Sequence, residues 1–292
     1  MRTWINAARP KTLIAAIAPV LLASAWAAST ARFQPGLLVI ILMAAIAIQI
    51  GTNFANDYFD HQKGGDTAAR LGPTRATHAG LVSPEHMKRA FILAFVIAAI
   101  LGSYLIWQGG WPIAVIGVFS ILFGIGYTAG PVPLAYKGLG DIFVFLFFGL
   151  VSVFGTYYLH TGHLQPKVWL LGAACGCLST AILAINNLRD RHEDKTTGKK
   201  TLAVRFGATF VRLEYTICVY IGFLAVPLSI SMNSRVQWGY MAAILGFAIV
   251  SRRLVRRVWK TDGVALNDML ADTGKYYALW TIVMVTLMLS SY

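Results

Sequence analysis

Residues 36–66 read GLLVIILMAAIAIQIGTNFANDYFDHQKGGD. The stretch 36–53 is apolar enough and long enough to cross a bilayer, because a hydrocarbon core of roughly 30 Å takes about 17–25 helical residues. The run then passes directly into Asn53, Asn56, Asp57 and Asp60. On a continuing helix Asn53 and Asp57 are four apart, as are Asn56 and Asp60, so the four polar groups share a face. Gly64-Gly65 predicts the end of the helix and lets Asp66 fold back toward that face. A membrane helix ending in a stripe of amides and carboxylates is the pattern from which the rest of the reading follows.

The pattern recurs. Asn186-Asn187-Leu188-Arg189-Asp190 runs on through Glu193 and Asp194 to Gly198-Lys199-Lys200-Thr201. Asn186, Asp190 and Asp194 fall at i, i+4 and i+8, again one stripe, with Gly198 as terminator. Asp57, Asp60, Asp66, Asp190, Glu193 and Asp194 are half of the 12 acidic residues in the chain. Segments 53–66 and 186–200 thus form a weak internal repeat within one domain spanning 1–292. Carboxylates crowded at a membrane face repel one another and resist desolvation, so grouping them calls for a compensating cation. As hard oxygen donors they suit Mg²⁺, which is held by a few carboxylates together with substrate phosphates. This points to Asp57, Asp60, Asp66, Asp190 and Asp194 as metal ligands, with a diphosphate bridging the two patches. Lys63, Arg75, Arg189, Lys199 and Lys200 are candidates for its outer oxygens. The alternative is two solvated helix ends whose acids pair with nearby Lys and Arg.

The whole chain fits a membrane setting. Of its 292 residues 57% are hydrophobic and only 13% charged, and the mean hydropathy is +0.63. A soluble enzyme cannot bury that much apolar surface, and disorder needs the opposite composition. Apolar runs at 12–28, 36–53, 90–107, 112–128, 141–159, 168–186, 213–232, 238–251 and 276–291 predict an all-α polytopic membrane protein of about nine transmembrane helices. The eighth run is short and the fourth abuts its neighbours, which leaves eight or ten as alternatives. None alternates polar and apolar residues as a barrel strand must. Nine spans leave Arg32, Lys167 and Arg235 as the only cations on one side, with the remainder of the 25 Lys and Arg on the other. The positive-inside rule then places the N-terminus and the loops after spans 2, 4, 6 and 8 in the cytoplasm, as in a cell inner (plasma) membrane. The net charge of +13 is read as topology and not as nucleic-acid binding. No removable signal or transit peptide is expected at the start.

Function should live on the long cytoplasmic loops. In the 127–138 loop Lys137 is a lone cation between glycines and prolines, and Asp141 opens the next span; both are candidates for orienting or deprotonating a second substrate. Ser83-Pro84-Glu85 reads as a helix cap and first turn. Arg252, Arg253, Arg256 and Arg257 form a basic stripe suited to anionic headgroups. Cys175, Cys177 and Cys218 lie in apolar runs and read as core. His160 and His163 read as loop residues of the far side.

At its two acidic segments the sequence resembles the UbiA-type intramembrane prenyltransferases. The likeness covers nearly the whole chain in length and span pattern. It is most specific in Asn56 through Asp66, in Leu71-Gly72-Pro73-Thr74-Arg75, and in Asn186–Asp190 with Gly198–Leu202. Gly64 stands where the hydroxybenzoate branch of that family usually carries a further Asp, and the acid comes instead at Asp66. With Gly72-Pro73 and Arg75, that departure favours the branch acting on 1,4-dihydroxy-2-naphthoate. The resemblance implies helices around a central cavity capped by cytoplasmic loops and open sideways to lipid. It implies Mg²⁺ on Asp57, Asp60, Asp190 and Asp194, with Asn53, Asn56, Asn186 and Arg189 in the same diphosphate environment. It also implies an isoprenyl diphosphate as donor and an aromatic acceptor that loses CO₂ on attack. Such a donor is lipid-borne and its allylic cation is quenched by water, which suits a dry cavity. Phe119, Phe123, Tyr127, Phe143, Phe145, Phe147 and Phe148 offer aromatic walls, although ordinary packing accounts for most such residues.

Two other readings remain at this point. One keeps the chemistry and changes the acceptor, for example to 4-hydroxybenzoate. The other is a cation transporter, against which stands the position of both clusters at one face and not at the bilayer midplane.

Overall fold

The computed structural model describes residues 1–29, 32–65, 70–229 and 237–290, and among them every regular element is helical. A short helix α1 (Arg2–Ala8) leads into α2 (Pro10–Ala28), α3 (Pro35–Gln62), α4 (Pro84–Gly109) and α5 (Trp111–Gly126). Next come α6 (Gly140–Phe145) and α7 (Ser152–Thr161), joined without a break by a π-helical turn, Leu146–Val151. The chain ends in α8 (Val168–Thr196), α9 (Leu202–Ser229), α10 (Gln237–Val258) and α11 (Leu266–Ser290).

Local sequence explains the boundaries. Proline occupies the first turn of α2, α3, α4 and α5, where its missing N–H is no loss. Ser83 caps α4 by accepting from the His86 amide, as its sequence suggests. Gly64 (φ 64°) and Gly198 (φ 79°) take the left-handed conformation just beyond α3 and α8, so both expected terminators act as such. The predicted run 213–232 starts too late: α9 begins at Leu202, with non-helical backbone at Gly207.

Among the described residues seven helices are long and apolar enough to cross a membrane. Of the other two runs, Trp111–Gly126 is apolar but only 16 residues long, and Leu266–Ser290 carries Asp268, Asp272 and Lys275 in its first half. Length and composition thus give a multi-pass membrane protein with seven such helices among the described residues, and the expected count of nine is not confirmed by them.

Helix α8 is the central rod. It packs against α2, α6, α7, α9 and α11, and 78% of its apolar window is buried, against 22% for α4. Its approach to the π-helical turn is made possible by glycine: a Cβ on Gly149 would sit 2.5 Å from the Gly172 carbonyl oxygen, and one on Gly176 2.7 Å from that of Phe145. One core gathers α2 and α7–α11 around Tyr157, Tyr215 and Trp280. A second joins α1, α3 and α4 around Phe91 and Phe95. Between these halves lies a cavity of about 790 Å³.

Helices α3 and α8 have 28 and 29 residues, or about 42 Å at 1.5 Å per residue. They outrun a hydrocarbon core of roughly 30 Å, and their surplus turns carry the acidic segments.

Candidate active site

Both Asn/Asp stripes face the one cavity. Asn53, Asn56, Asp57 and Asp60 line it from α3, and Asn186, Asn187, Asp190 and Asp194 from α8. The i, i+4 reading of the two segments is what brings these groups onto the cavity wall. Below them the lining turns apolar, through Ile41, Ile113, Phe147 and Leu159.

The carboxylates are buried and differ in what they hold. Asp57 accepts from the backbone amides of Ala76 and Thr77, each at 3.0 Å, and so pins the loop before α4. Asp60, 1% exposed, joins three loops: its Oδ2 accepts from Arg75 and from Lys199, both at 3.0 Å, and its Oδ1 from the Tyr136 hydroxyl at 2.9 Å. Asp190 is gripped by both forks of Arg189 at 2.7 Å, with Arg70 3.8 Å away. The same Arg189 donates to Asn186 and to Asn267, whose amide donates in turn to the Leu71 carbonyl. Gly72 is required beside it, because a Cβ there would meet the guanidinium at 2.5 Å. Asp194 is buried on the cavity wall, and no side chain among the described residues bonds its carboxylate.

Two amides finish the frame. Asn53 donates to the Ala8 carbonyl, and Asn56 accepts from Thr128 at 2.7 Å. The N-terminal turn and the loops around 75, 128–136, 199 and 267 therefore meet on one face of the bundle. These are the segments that the charge count puts together. On the opposite face Arg32 donates to the Thr161 carbonyl. His160, expected in a loop, is instead buried in the last turn of α7, 2.9 Å from Ser24 Oγ.

Not every candidate reaches the cavity. Lys137 is exposed and off the wall; its carbonyl accepts from Arg205. Asp141 is buried behind the wall and accepts from Asn187 at 3.3 Å. Lys63 reaches the Thr128 carbonyl at 2.6 Å with its ammonium 4.9 Å from the centre of the Tyr136 ring. Burial lowers its pKa, and neighbouring Lys199 does the same while Asp60 opposes them. Lys200 is exposed. Asp66 lies outside the described residues. Phe123, Tyr127, Phe143, Phe147 and Phe148 do line the cavity; Phe119 is at the outer surface and Phe145 packs on Gly176.

Sequence reasoning passed over Tyr136, Arg70, Asn267 and Arg9. Arg9 joins α1 to α2 with φ 53°, the one positive φ outside glycine among the described residues, and it lines the cavity.

The cavity carries Arg9, Lys11, Arg70, Arg75, Arg189 and Lys199 against four carboxylates. The surplus is positive, so the polar end suits an anion, while the other end suits an apolar chain. Among the described residues no three acidic, histidine or cysteine side chains converge as a closed metal cage. The carboxylates are spread along two walls instead.

Comparison with known proteins places this architecture. A match to the UbiA prenyltransferase family extends over residues 16–289, and the chain belongs to that family. It is 37% identical over 292 residues to a 1,4-dihydroxy-2-naphthoate octaprenyltransferase of Escherichia coli (strain K12), covering 97% of this chain and 94% of that one. It is 34% identical over 288 residues to the protein of the same name from Mycobacterium tuberculosis, covering 96% and 94%. Among solved structures, a UbiA homolog from Archaeoglobus fulgidus bound to GPP and Mg²⁺ superposes with a TM-score of 0.69 at 15% identity, over 98% of this chain and 99% of that one. The last likeness shows the shared fold.

Proposed function

We propose that the protein transfers a polyprenyl group from an isoprenyl diphosphate to 1,4-dihydroxy-2-naphthoate, with loss of CO₂, giving demethylmenaquinol. The observation that carries this is the pair of Asn/Asp stripes facing one cavity, with a surplus of cations at its polar end and an apolar continuation. The names of the relatives over 30% identical supply the acceptor.

The chemistry balances without a base. The C–O bond to diphosphate breaks, and the ring carbon bearing the carboxylate forms a bond to the allylic carbon. The C–CO₂ bond then breaks and returns its electron pair to the ring. CO₂ is lost where another aromatic would lose a proton, so neither Lys137 nor Asp141 is needed to take one. Arg75, Arg189 and Lys199 are placed to bind the diphosphate oxygens as charge builds on the leaving group. The rings of Phe143 and Phe147 on the cavity wall keep water from the cation.

The donor set fits Mg²⁺, with the Asp194 carboxylate bonded by no side chain among the described residues and Asp57, Asp60 and Asp190 beside it on the two walls. Mg²⁺ keeps few protein ligands and completes its shell from phosphate and water; when bound it neutralises the diphosphate. Asp57, Asp60, Asp190 and Asp194 would hold the metal, and Arg75, Lys199 and Arg189, which now pair with Asp60 and Asp190, would then be free to bind the diphosphate. The cation-rich loops support, by the positive-inside rule, a reading in which the polar end of the cavity faces the cytoplasm from the inner membrane.

Product mass tests the reading. Purified protein is offered Mg²⁺, an allylic diphosphate, dihydroxynaphthoate and 4-hydroxybenzoate together. Prenylated naphthoquinol lacking the mass of CO₂ is expected; prenylated hydroxybenzoate retaining its carboxylate would move the protein to another acceptor.

A further inference from the structure

The polar face of α3 does not stop at Asn53. Gln49, four residues deeper on the same face, is 7% exposed and lines the central cavity. It stands where the lining turns apolar, with Ala45 one turn beyond it and Ala15 and Ala16 facing the same cavity from α2. Small side chains on both helices leave space there for a flat group. The four asparagines of the two acidic stripes are all engaged: Asn53 with Ala8, Asn56 with Thr128, Asn186 with Arg189 and Asn187 with Asp141. Gln49 differs. Its Oε1 is buried, and among the described residues no donor bonds it. A carboxamide oxygen left unsatisfied inside a membrane helix is costly, and polar groups kept at that depth mark functional sites.

We infer that Gln49 recognises the ring of the aromatic acceptor, its Oε1 accepting from the 4-hydroxyl. The inference rests on the acceptor proposed above. In 1,4-dihydroxy-2-naphthoate the 1-hydroxyl is ortho to the carboxylate and donates to it within the molecule, so the 4-hydroxyl is the free donor. The carboxylate sits on the reacting carbon and stays at the polar end of the cavity with Arg75, Arg189 and Lys199. The 4-hydroxyl lies two ring atoms from that carbon and points down the cavity. Asp57 is eight residues above Gln49 on α3, about 12 Å along the axis at 1.5 Å per residue. That depth leaves room for the reacting carbon of the donor and the ring between them. An amide oxygen accepts from O–H and repels a carboxylate, so it fixes which edge of the ring faces down. A site that bonds a substrate hydroxyl rejects a ring lacking it, because its own buried acceptor is then left unpaired.

Equilibrium binding to the full chain in lipid nanodiscs tests it, under anaerobic conditions with Mg²⁺ and the slowly ionising donor analogue geranyl thiodiphosphate. The probes are 1,4-dihydroxy-2-naphthoate and 1-hydroxy-2-naphthoate, compared on the unaltered protein and on Gln49→Met, which keeps the length of the side chain and removes the oxygen. In the unaltered protein the 4-hydroxyl should be worth about tenfold in Kd, equivalent to roughly 1.4 kcal/mol. In Gln49→Met that preference should vanish through weaker binding of the dihydroxy ring, while the thiodiphosphate binds as before. A preference kept by Gln49→Met overturns the assignment, as does equal weakening of both rings, which a role in packing alone would give. A changed Kd for the thiodiphosphate also overturns it, by placing Gln49 with the donor. An unaltered protein that binds both rings equally defeats this assignment alone; one that binds neither ring defeats the proposed acceptor and this assignment with it.

Discussion

Lys199 Nζ lies 3.0 Å from Asp60 Oδ2, although 139 positions separate the two residues. Through this contact, and through Arg75 and Tyr136 on the same carboxylate, the end of α3 holds three loops that the chain supplies far apart. The carboxylate therefore serves the fold as well as the ligand site.

Replacing Asp60 by Ala should then cost stability as well as turnover. It removes the carboxylate shared by the buried Arg75 and Lys199, and breaking a buried pair costs about 3–5 kcal/mol. Thermal unfolding in detergent should shift down markedly for Asp60→Ala; an unshifted transition would show that the three loops hold together without it.

Asp57→Ala should release one loop. Asp57 is expected from sequence as a metal ligand, yet both carboxylate oxygens bond the amides of Ala76 and Thr77. A buried amide left without an acceptor costs about 1–3 kcal/mol. Limited proteolysis should cut near residues 70–82 faster than in the unaltered protein, alongside loss of activity.

Asp194→Asn should behave in the opposite way. With no bonded neighbour among the described residues, its carboxylate gives the fold nothing to lose, and removing a buried charge is neutral or stabilising. Turnover and Mg²⁺ dependence should drop while the unfolding temperature holds or rises; a destabilised Asp194→Asn would assign it a structural partner instead.

Tyr136→Phe should cost little, since one hydrogen bond to Asp60 is worth about 0.5–1.5 kcal/mol and the ring stays beneath the two lysines. Tyr136→Ala removes both contacts. A graded loss of kcat/KM, small for Phe and larger for Ala, is expected; equal losses would confine the role of Tyr136 to its hydroxyl.

Gly149→Ala should fail at the packing stage, because its methyl would meet the Gly172 carbonyl oxygen at 2.5 Å. Overpacking of this kind costs about 1–3 kcal/mol. Reduced yield of folded protein, with normal specific activity in what does fold, is the expected result.

The helical faces of both acidic segments were legible because four-residue spacing depends only on a continuous helix, and Gly64 and Gly198 mark where each stops. Partnerships between loops were not legible. Tyr136 and Lys137 are neighbours in the chain, but one bonds Asp60 and the other is exposed; local spacing in a turn does not say which points inward. The π-helical turn at Leu146–Val151 left no sequence mark beyond Gly149, and the αL backbone of Arg9 uses a residue type that rarely signals one. The charge count grouped the right loops on one face, since topology is set by totals that do not depend on contacts.

The surplus length of α3 and α8 has a consequence for how a lipid-borne substrate is presented. Under the proposed function the carboxylates and cations stand on turns beyond the length of a hydrocarbon core, so an amphiphile reaching them keeps its head in water and its tail in oil throughout. No multiply charged group has to be drawn into hydrocarbon, and bulk solution is never crossed. The quantity that governs encounter is then the mole fraction of donor within the leaflet, and rates should follow surface dilution with inert lipid in place of the volume of the assay.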